Sequence, residues 1–219
     1  MLPQQCLLCG DVAAHLPLCQ PCRQDLPWLS TPCCPICSLP TSGGETCGAC
    51  LQHPPAFDAT HAALRYTYPI DALLRQHKYG NLLAASHLLG ALLADHLVHA
   101  PLPDLLIPMP LHPLRLRERG FNQAAEIARI LAKRLDVPVM VQGCQRTRNT
   151  PSQAGLSLAE RRRNLKGAFA CHGDVSGRRI ALIDDVMTTG ASLEALAHVV
   201  KQAGASTVDC WVVARTLRE

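Results

Sequence analysis

Leucine dominates residues 82–98, standing at 82, 83, 88, 89, 92, 93 and 97, with Ser86, His87, Asp95 and His96 interrupting the run. A membrane span needs about 20 mostly apolar residues, so this pattern predicts a buried helix and no span. Upstream, residues 61–67 read as a strand and 70–79 as a helix. DLLIPMP (104–110) reads as a short apolar strand ended by prolines. Asn122 can cap a helix whose apolar face is Ile127, Ile130, Leu131 and Leu135. A strand is expected at 138–142, a polar loop at 145–156, and a short basic helix behind a capping box of Ser157 and Glu160. RIALIDD (179–185) reads as a buried strand, 192–203 as a helix ended by Gly204, and TVDCWVVAR (207–215) as a last strand. Strand–helix alternation predicts an α/β fold, a parallel sheet flanked by helices.

Pro54 and Pro55 in QHPPAFD (52–58) break this regularity and set the expected boundary between a small module, 1–53, and a larger domain, 56–219. The composition is globular, with 48% hydrophobic and 17% charged residues; at 4% aromatic it offers no obvious base-stacking platform. No Gly-x-Gly-x-x-Gly follows a strand and no Gly-x4-Gly-Lys-Ser/Thr occurs, which argues against dinucleotide and P-loop sites. The start, MLPQQCLLCG, lacks a basic flank and a long apolar run, so the expected compartment is the reducing cytoplasm. Charge is uneven. Residues 1–55 hold one basic side chain, Arg23, and three acidic ones; residues 115–179 hold fourteen basic and five acidic, a surplus that suits phosphate, pyrophosphate or nucleic acid. A solvated basic face is the plainer account of that count.

Cysteine changes the picture of the module. Of twelve, eight form four CxxC pairs: Cys6/Cys9, Cys19/Cys22, Cys34/Cys37 and Cys47/Cys50. Adding 28 to each of the first four positions gives each of the second four, so the segment is an internal duplication. Two CxxC turns make a closed tetrathiolate, which is the structural zinc site. Two zinc ions are expected, paired sequentially within each half, with a cross-braced arrangement as the alternative. In a reducing compartment metal is favoured over disulfides. Zinc would supply the folding free energy that so small a module lacks, on the order of 10–16 kcal/mol per site. Cys33 breaks the spacing and reads as a spare thiol; Cys144, Cys171 and Cys210 read as small core residues.

RIALIDDVMTTGAS (179–192) carries the chemistry. An apolar strand ends in two acids, followed by a hydroxyl-rich turn with a glycine and then a helix. Thr188, Thr189, Gly190, Ala191 and Ser192 can wrap an anion with hydroxyls and amides at a helix N-terminus. Asp184 and Asp185 would repel phosphate, so they suit the vicinal hydroxyls of a ribose, or a magnesium ion. An ordinary N-cap cluster is the bland reading, but two adjacent buried acids are costly without a ligand or cation.

This stretch resembles the 5-phosphoribosyl-1-pyrophosphate (PRPP) motif of type I phosphoribosyltransferases. The whole chain resembles the ComF family, specifically its GntX-like members: a double zinc ribbon followed by a phosphoribosyltransferase-like domain. The markers are the four CxxC pairs, His77-Lys78-Tyr79, PMPLH and RLRERGFNQ within 108–123, RTRNTPSQAGLSLAERRRNL (146–165) and LIDDVMTTGAS. The resemblance implies that Asp184, Asp185 and Arg119 act in catalysis. It implies PRPP contacts from Val186, Thr188, Thr189, Gly190, Ala191 and Ser192, from Lys78, and from Pro110, Leu111 and His112 in a pyrophosphate loop. It also implies a mobile loop bearing Arg146, Thr150, Gln153, Arg161 and Asn164.

Phosphoribosyl transfer passes through an oxocarbenium-like state as pyrophosphate leaves, so magnesium and cations on the leaving group are expected. Arg115, Arg117 and Arg119 follow the proper strand for that. His112 could be a base, although a single histidine among ten more often has a milder role. Family members are linked to DNA uptake, competence and DNA utilisation. Two functions follow: an enzyme passing phosphoribose to an unidentified acceptor, or a non-enzymatic single-stranded-DNA-binding or regulatory protein that keeps the phosphate site.

Overall fold

The computed structural model describes residues 4–30, 32–79, 83–148, 165 and 167–217. In the N-terminal module the 28-residue duplication is structural. Strands β1 (Gln4–Gln5) and β2 (Val12–Ala13) pair antiparallel through Gln5 and Val12, and Cys33 bridges Pro40 at the same two positions of the second half. Helices α1 (Gln20–Gln24) and α2 (Gly48–Gln52) also correspond. Gly10 and Ser38, each following the second cysteine of a turn, both take positive φ, 83° and 53°. Cys33 therefore stands where Gln5 stands, on a ribbon strand and outside the group of four that includes its neighbour Cys34.

The larger domain is built on a sheet of four parallel strands in the order β3-β8-β7-β4. These are β3 (Ala59–Arg65), β4 (Leu105–Pro108), β7 (Arg179–Met187) and β8 (Thr207–Arg215). Beyond β4, Val139 makes a parallel bridge to Leu106, which is all that forms of the strand expected at 138–142. The central strands are apolar on both sides, as a sheet covered on both faces requires. One layer holds α3 (Ile70–Tyr79), α4 (Leu83–His96) and α6 (Gln123–Leu135), packed with Ala181, Ile183, Trp211 and Val213. The other holds α7 (Ala191–Gln202) and a small hairpin, β5 (Cys144–Arg146) with β6 (Phe169–Cys171), around Ile180, Leu182 and Val212.

Leu88, Leu89, Leu92, Leu93 and Leu97 are all fully buried, which accounts for the leucine run without a membrane. No helix among the described residues is long and apolar enough to cross one. Gly90 lets α4 close on α6, since a Cβ there would stand 2.7 Å from the Cβ of Ile130.

Strand β3 is an edge, and edges invite unwanted pairing. Here the zinc-ribbon module covers it. Leu29 N–H donates to Ala63 O, Arg65 N–H to Pro27 O and Thr60 N–H to Pro35 O. The hydroxyls of Ser38 and Thr60 donate to the carbonyls of Thr60 and Ile36, each at 2.6 Å. β3 begins two residues before the expected 61 because Ala59 and Thr60 pair with Asp209 and Cys210 of β8.

Two other expectations need correction. The polar loop expected from 145 begins as a strand, because Gln145 and Arg146 pair with Ala170 and Phe169. A helix absent from the sequence reading, α5 (Pro113–Arg119), follows β4. The capping box of Ser157 and Glu160 lies outside the described residues.

Candidate functional site

Order reverses between β4 and β7. From β4 the chain runs through α6 to Val139 on one side, then returns to β7 on the other. In open α/β sheets the crevice for a ligand lies at the carboxyl ends of such neighbours. Two loops follow these strands there, 109–112 after β4 and 187–190 after β7, and Met109 N–H donates to Ile183 O of β7 at 2.8 Å, which carries the β4–β7 pairing to the start of the first loop.

Asp184 and Asp185 follow the apolar run Ile180–Ile183 of β7. Alternation sends them to opposite faces: Asp184 is half-buried and Asp185 is 6% exposed. The Asp185 amide donates to Asp184 Oδ1 at 2.9 Å, which fixes the first carboxylate. The turn after them closes at Gly190, whose φ of 83° is left-handed and lets it serve as N-cap of α7. Thr189 Oγ1 accepts from Ala191 N–H at 3.4 Å. Asp184, Thr188, Thr189, Gly190 and Ser192 help line a cavity of about 50 Å³, a size for one small anionic group at a helix N-terminus.

The facing loop is equally constrained. Asn122 caps α6 by accepting from the Ala124 and Ala125 amides at 3.0 and 3.4 Å, and its Nδ2 donates to Met109 O at 3.0 Å. Arg119 donates to Gln123 Oε1 at 3.2 Å. His112 is the N-cap of α5, with Nδ1 accepting from Leu114 N–H at 3.3 Å. That bond occupies the Nδ1 lone pair and gives His112 a structural task. His77, fully buried, shares a 2.6 Å hydrogen bond with Ser86 Oγ and lies 5.5 Å from the Phe121 ring, centroid to centroid. It thereby ties α3, which carries Lys78, to the turn before α6. Arg146 stacks over Phe169 at 5.6 Å. Burial and then Arg115 hold its guanidinium below the usual arginine range, with Asp184 opposing them, so Arg115, Arg146 and Asp184 share one electrostatic neighbourhood. Thr150, Gln153, Arg161 and Asn164 lie outside the described residues.

The sequence reading missed Arg215. Its side chain is 3% exposed at the end of β8. Nε donates to Cys37 O at 2.8 Å; one terminal nitrogen donates to Met187 O at 2.9 Å, to Thr216 O at 3.0 Å and to Thr188 O. It joins the second cysteine turn to the turn carrying the hydroxyls. No local signal marks such a residue, because its partner Cys37 is 178 positions away.

The eight cysteines form two clusters, Cys6/Cys9/Cys19/Cys22 and Cys34/Cys37/Cys47/Cys50, each with its sulfurs within 4.8 Å of one another. Pairing is therefore sequential and not cross-braced. Zn–S bonds of 2.3 Å imply tetrahedral edges of about 3.8 Å, and the sulfur pairs Cys9–Cys19 and Cys37–Cys47 both stand at 3.6 Å. Electrostatics repeat as well. Burial raises the Cys6 thiol, but the amides of Cys19, Cys9 and Leu8 outweigh it and bring it to about 6. Cys34 behaves alike, reaching about 7 through the amides of Cys47, Cys37 and Ile36. Cys22 is pushed far up, first by Cys19, and Cys50 by burial and Cys37. Four thiols this close cannot all ionise without a cation, which is the chemistry of a structural zinc ligand set.

Comparison with known proteins agrees with both halves. Residues 1–51 match a double zinc ribbon domain and 121–218 a phosphoribosyl transferase domain. DNA utilization protein YhgH of Escherichia coli O157:H7 is 35% identical over 225 residues, covering 99% of each chain. Competence protein F of Haemophilus influenzae is 32% identical over 208 residues, covering 90% of each. Among solved structures, glutamine PRPP amidotransferase from B. subtilis, complexed with ADP and GMP, gives a TM-score of 0.40 at 20% identity over 57% of this chain and 25% of that one.

Proposed function

The chain belongs to the ComF family, and from that premise we propose that it binds PRPP with magnesium and transfers phosphoribose to an acceptor in a DNA uptake or DNA utilisation role. One observation carries the reading: an adjacent acid pair and an anion-sized cradle share the strand end where sheet order reverses. In this reading Asp184 and Asp185 accept from the ribose hydroxyls. Amides and hydroxyls of Thr188, Thr189, Gly190 and Ser192 hold the 5′-phosphate, with Val186 and Ala191 lining that turn. Pyrophosphate lies along Pro110, Leu111 and His112, with Lys78, Arg119 and Arg146 supplying positive charge as it leaves. The hard carboxylate oxygens at the strand end suit magnesium, which would neutralise the pyrophosphate oxygens. Orienting the ribose while cations receive the leaving group lowers the barrier at the anomeric carbon.

Calorimetry with PRPP and magnesium is the test. The wild type is expected to bind, and the Asp184→Asn/Asp185→Asn double variant is expected to lose binding while keeping its zinc. Equal affinity in the two proteins would overturn the reading.

A further inference from the structure

Cys144 and Cys171 are directly opposed residues of the β5–β6 hairpin. His172 N–H donates to Gly143 O on one side of them and Thr147 N–H to Ala168 O on the other. Hydrogen-bonded and open positions alternate along an antiparallel ladder, so this pair occupies an open position, where Cα atoms stand about 4.5 Å apart and side chains are closest. A disulfide needs Cα atoms about 4.4–6.8 Å apart, which this position meets without moving the backbone. The thiols already touch, with Cys144 Sγ donating to Cys171 Sγ at 3.0 Å. Their surroundings differ. Cys144 is 4% exposed, whereas Cys171 is only partly buried.

We infer that Cys144 and Cys171 form a redox-active dithiol, separate from the zinc ligands, that is oxidised by small disulfides of the glutathione type. The Cys171 thiolate attacks one sulfur of the small disulfide, whose S–S bond breaks and releases one thiol. Cys144 then attacks the Cys171 mixed disulfide, forming the Cys144–Cys171 bond and releasing the second thiol. Two cysteine thiols are oxidised, the small disulfide is reduced to two thiols, and the two cysteine protons pass to the leaving thiolates. Burial, then the neighbouring Cys171 thiol, pushes Cys144 far up, which disfavours it as first attacker and suits it to a step made at contact distance. The zinc cysteines differ in kind, each sitting in a group of four. The new bond would close residues 144–171 into one covalent loop that begins beside Arg146, whose guanidinium shares the neighbourhood of Asp184.

The full zinc-loaded chain is incubated with oxidised glutathione, quenched by alkylation and mapped by mass spectrometry without reduction. The expected product is a linked Cys144–Cys171 peptide with both zinc ions retained. Cys144→Ala should accumulate a glutathione adduct on Cys171, and Cys171→Ala should carry about tenfold less adduct on Cys144. Zinc content of each variant reports its folding, and Cys144→Ser replaces Cys144→Ala if that protein loses metal. Absence of the linked peptide in wild type, or oxidation of the zinc cysteines while Cys144 and Cys171 stay alkylatable, overturns the inference. None of these readouts involves PRPP, so the outcome is independent of the proposed function.

Discussion

The Nε of Arg215 donates to the carbonyl oxygen of Cys37 at 2.8 Å, so the last strand of the sheet is tied to the backbone of a metal-ligating turn. The same guanidinium holds the carbonyls of Met187 and Thr188. The second cysteine cluster and the turn proposed to hold the 5′-phosphate thus share one buried cation.

Replacing that cation should damage both ends. Arg215→Met leaves buried carbonyls without donors, a loss of about 3 kcal/mol. In a chain of 219 residues this lowers Tm by on the order of 10 °C. Scanning calorimetry checks the stability, and PRPP titration of the folded variant should show at least about tenfold weaker binding. A variant with wild-type Tm would show that Arg215 is a bystander.

The two zinc sites should therefore differ in their effect on ligand binding. Cys6→Ser and Cys34→Ser are each expected to lose one zinc of two. Only the second removes metal from the half that anchors Arg215, so PRPP affinity should fall more in Cys34→Ser. Equal affinities would break the proposed link between the second cluster and the phosphate turn.

Acid should release the zinc ions. Each ion is expected on four thiolates, so protons compete with metal for every ligand. In the metal-free clusters, against burial, the surrounding amides hold the Cys6 and Cys34 thiols below their ordinary 9.0. A group with a depressed folded pKa contributes stability that is complete above its unfolded pKa and lost as pH falls through the folded one. Bound zinc lowers the folded value further, so release to a colorimetric chelator is expected only below the metal-free values of about 6 and about 7. Release of both ions at neutral pH would contradict the tetrathiolate account.

Asn122 separates a cap from a loop anchor. Asn122→Ala should cost about 1–2 kcal/mol of stability, the worth of an N-cap. Asn122→Asp keeps the oxygen that accepts from Ala124 and Ala125 but loses the donor to Met109 O. Its stability should stay closer to wild type while PRPP binding weakens, because the loop proposed to receive pyrophosphate is released. Denaturant titration and calorimetry together distinguish the two roles.

What was legible in the sequence was local. The stretch 179–192 shows strand, acids, turn and helix in one continuous pattern, and the 28-residue repeat shows through spacing alone. The body of β8 was readable because six of the seven residues 208–214 are apolar and buried. Helix α5 was hidden, since Leu114 and Leu116 alternate with Arg115 and Arg117 at a period belonging to no helix face, and both leucines stay exposed. The β5–β6 hairpin is three residues on each side, too short to display a period. The early start of β3 depends on pairing with β8 and the role of Arg215 on contact with the zinc ribbon, and no local pattern encodes either.

Single-stranded DNA remains the proposed macromolecular partner, and the basic run is where contact is expected. Several of its arginines already have acidic partners: Arg129 with Glu126, Arg134 with Asp95, Arg178 with Asp174 and Arg179 with Asp104. Such pairs contribute little net field to a polyanion. Arg161, Arg162 and Arg163 lie outside the described residues, and they are three successive cations in a chain with only 17 acids. A tetrathiolate zinc site carries about −2 overall, so the ribbon module becomes more anionic once loaded and is a poor DNA reader. Replacing all three arginines with glutamate should weaken single-strand binding most at low salt and flatten the dependence of log K on log salt, because fewer counterions are released. Fluorescence anisotropy across a salt series measures both quantities. If the triple variant binds as wild type does, while loss of the second zinc abolishes binding, the ribbon module is the reader and this assignment fails.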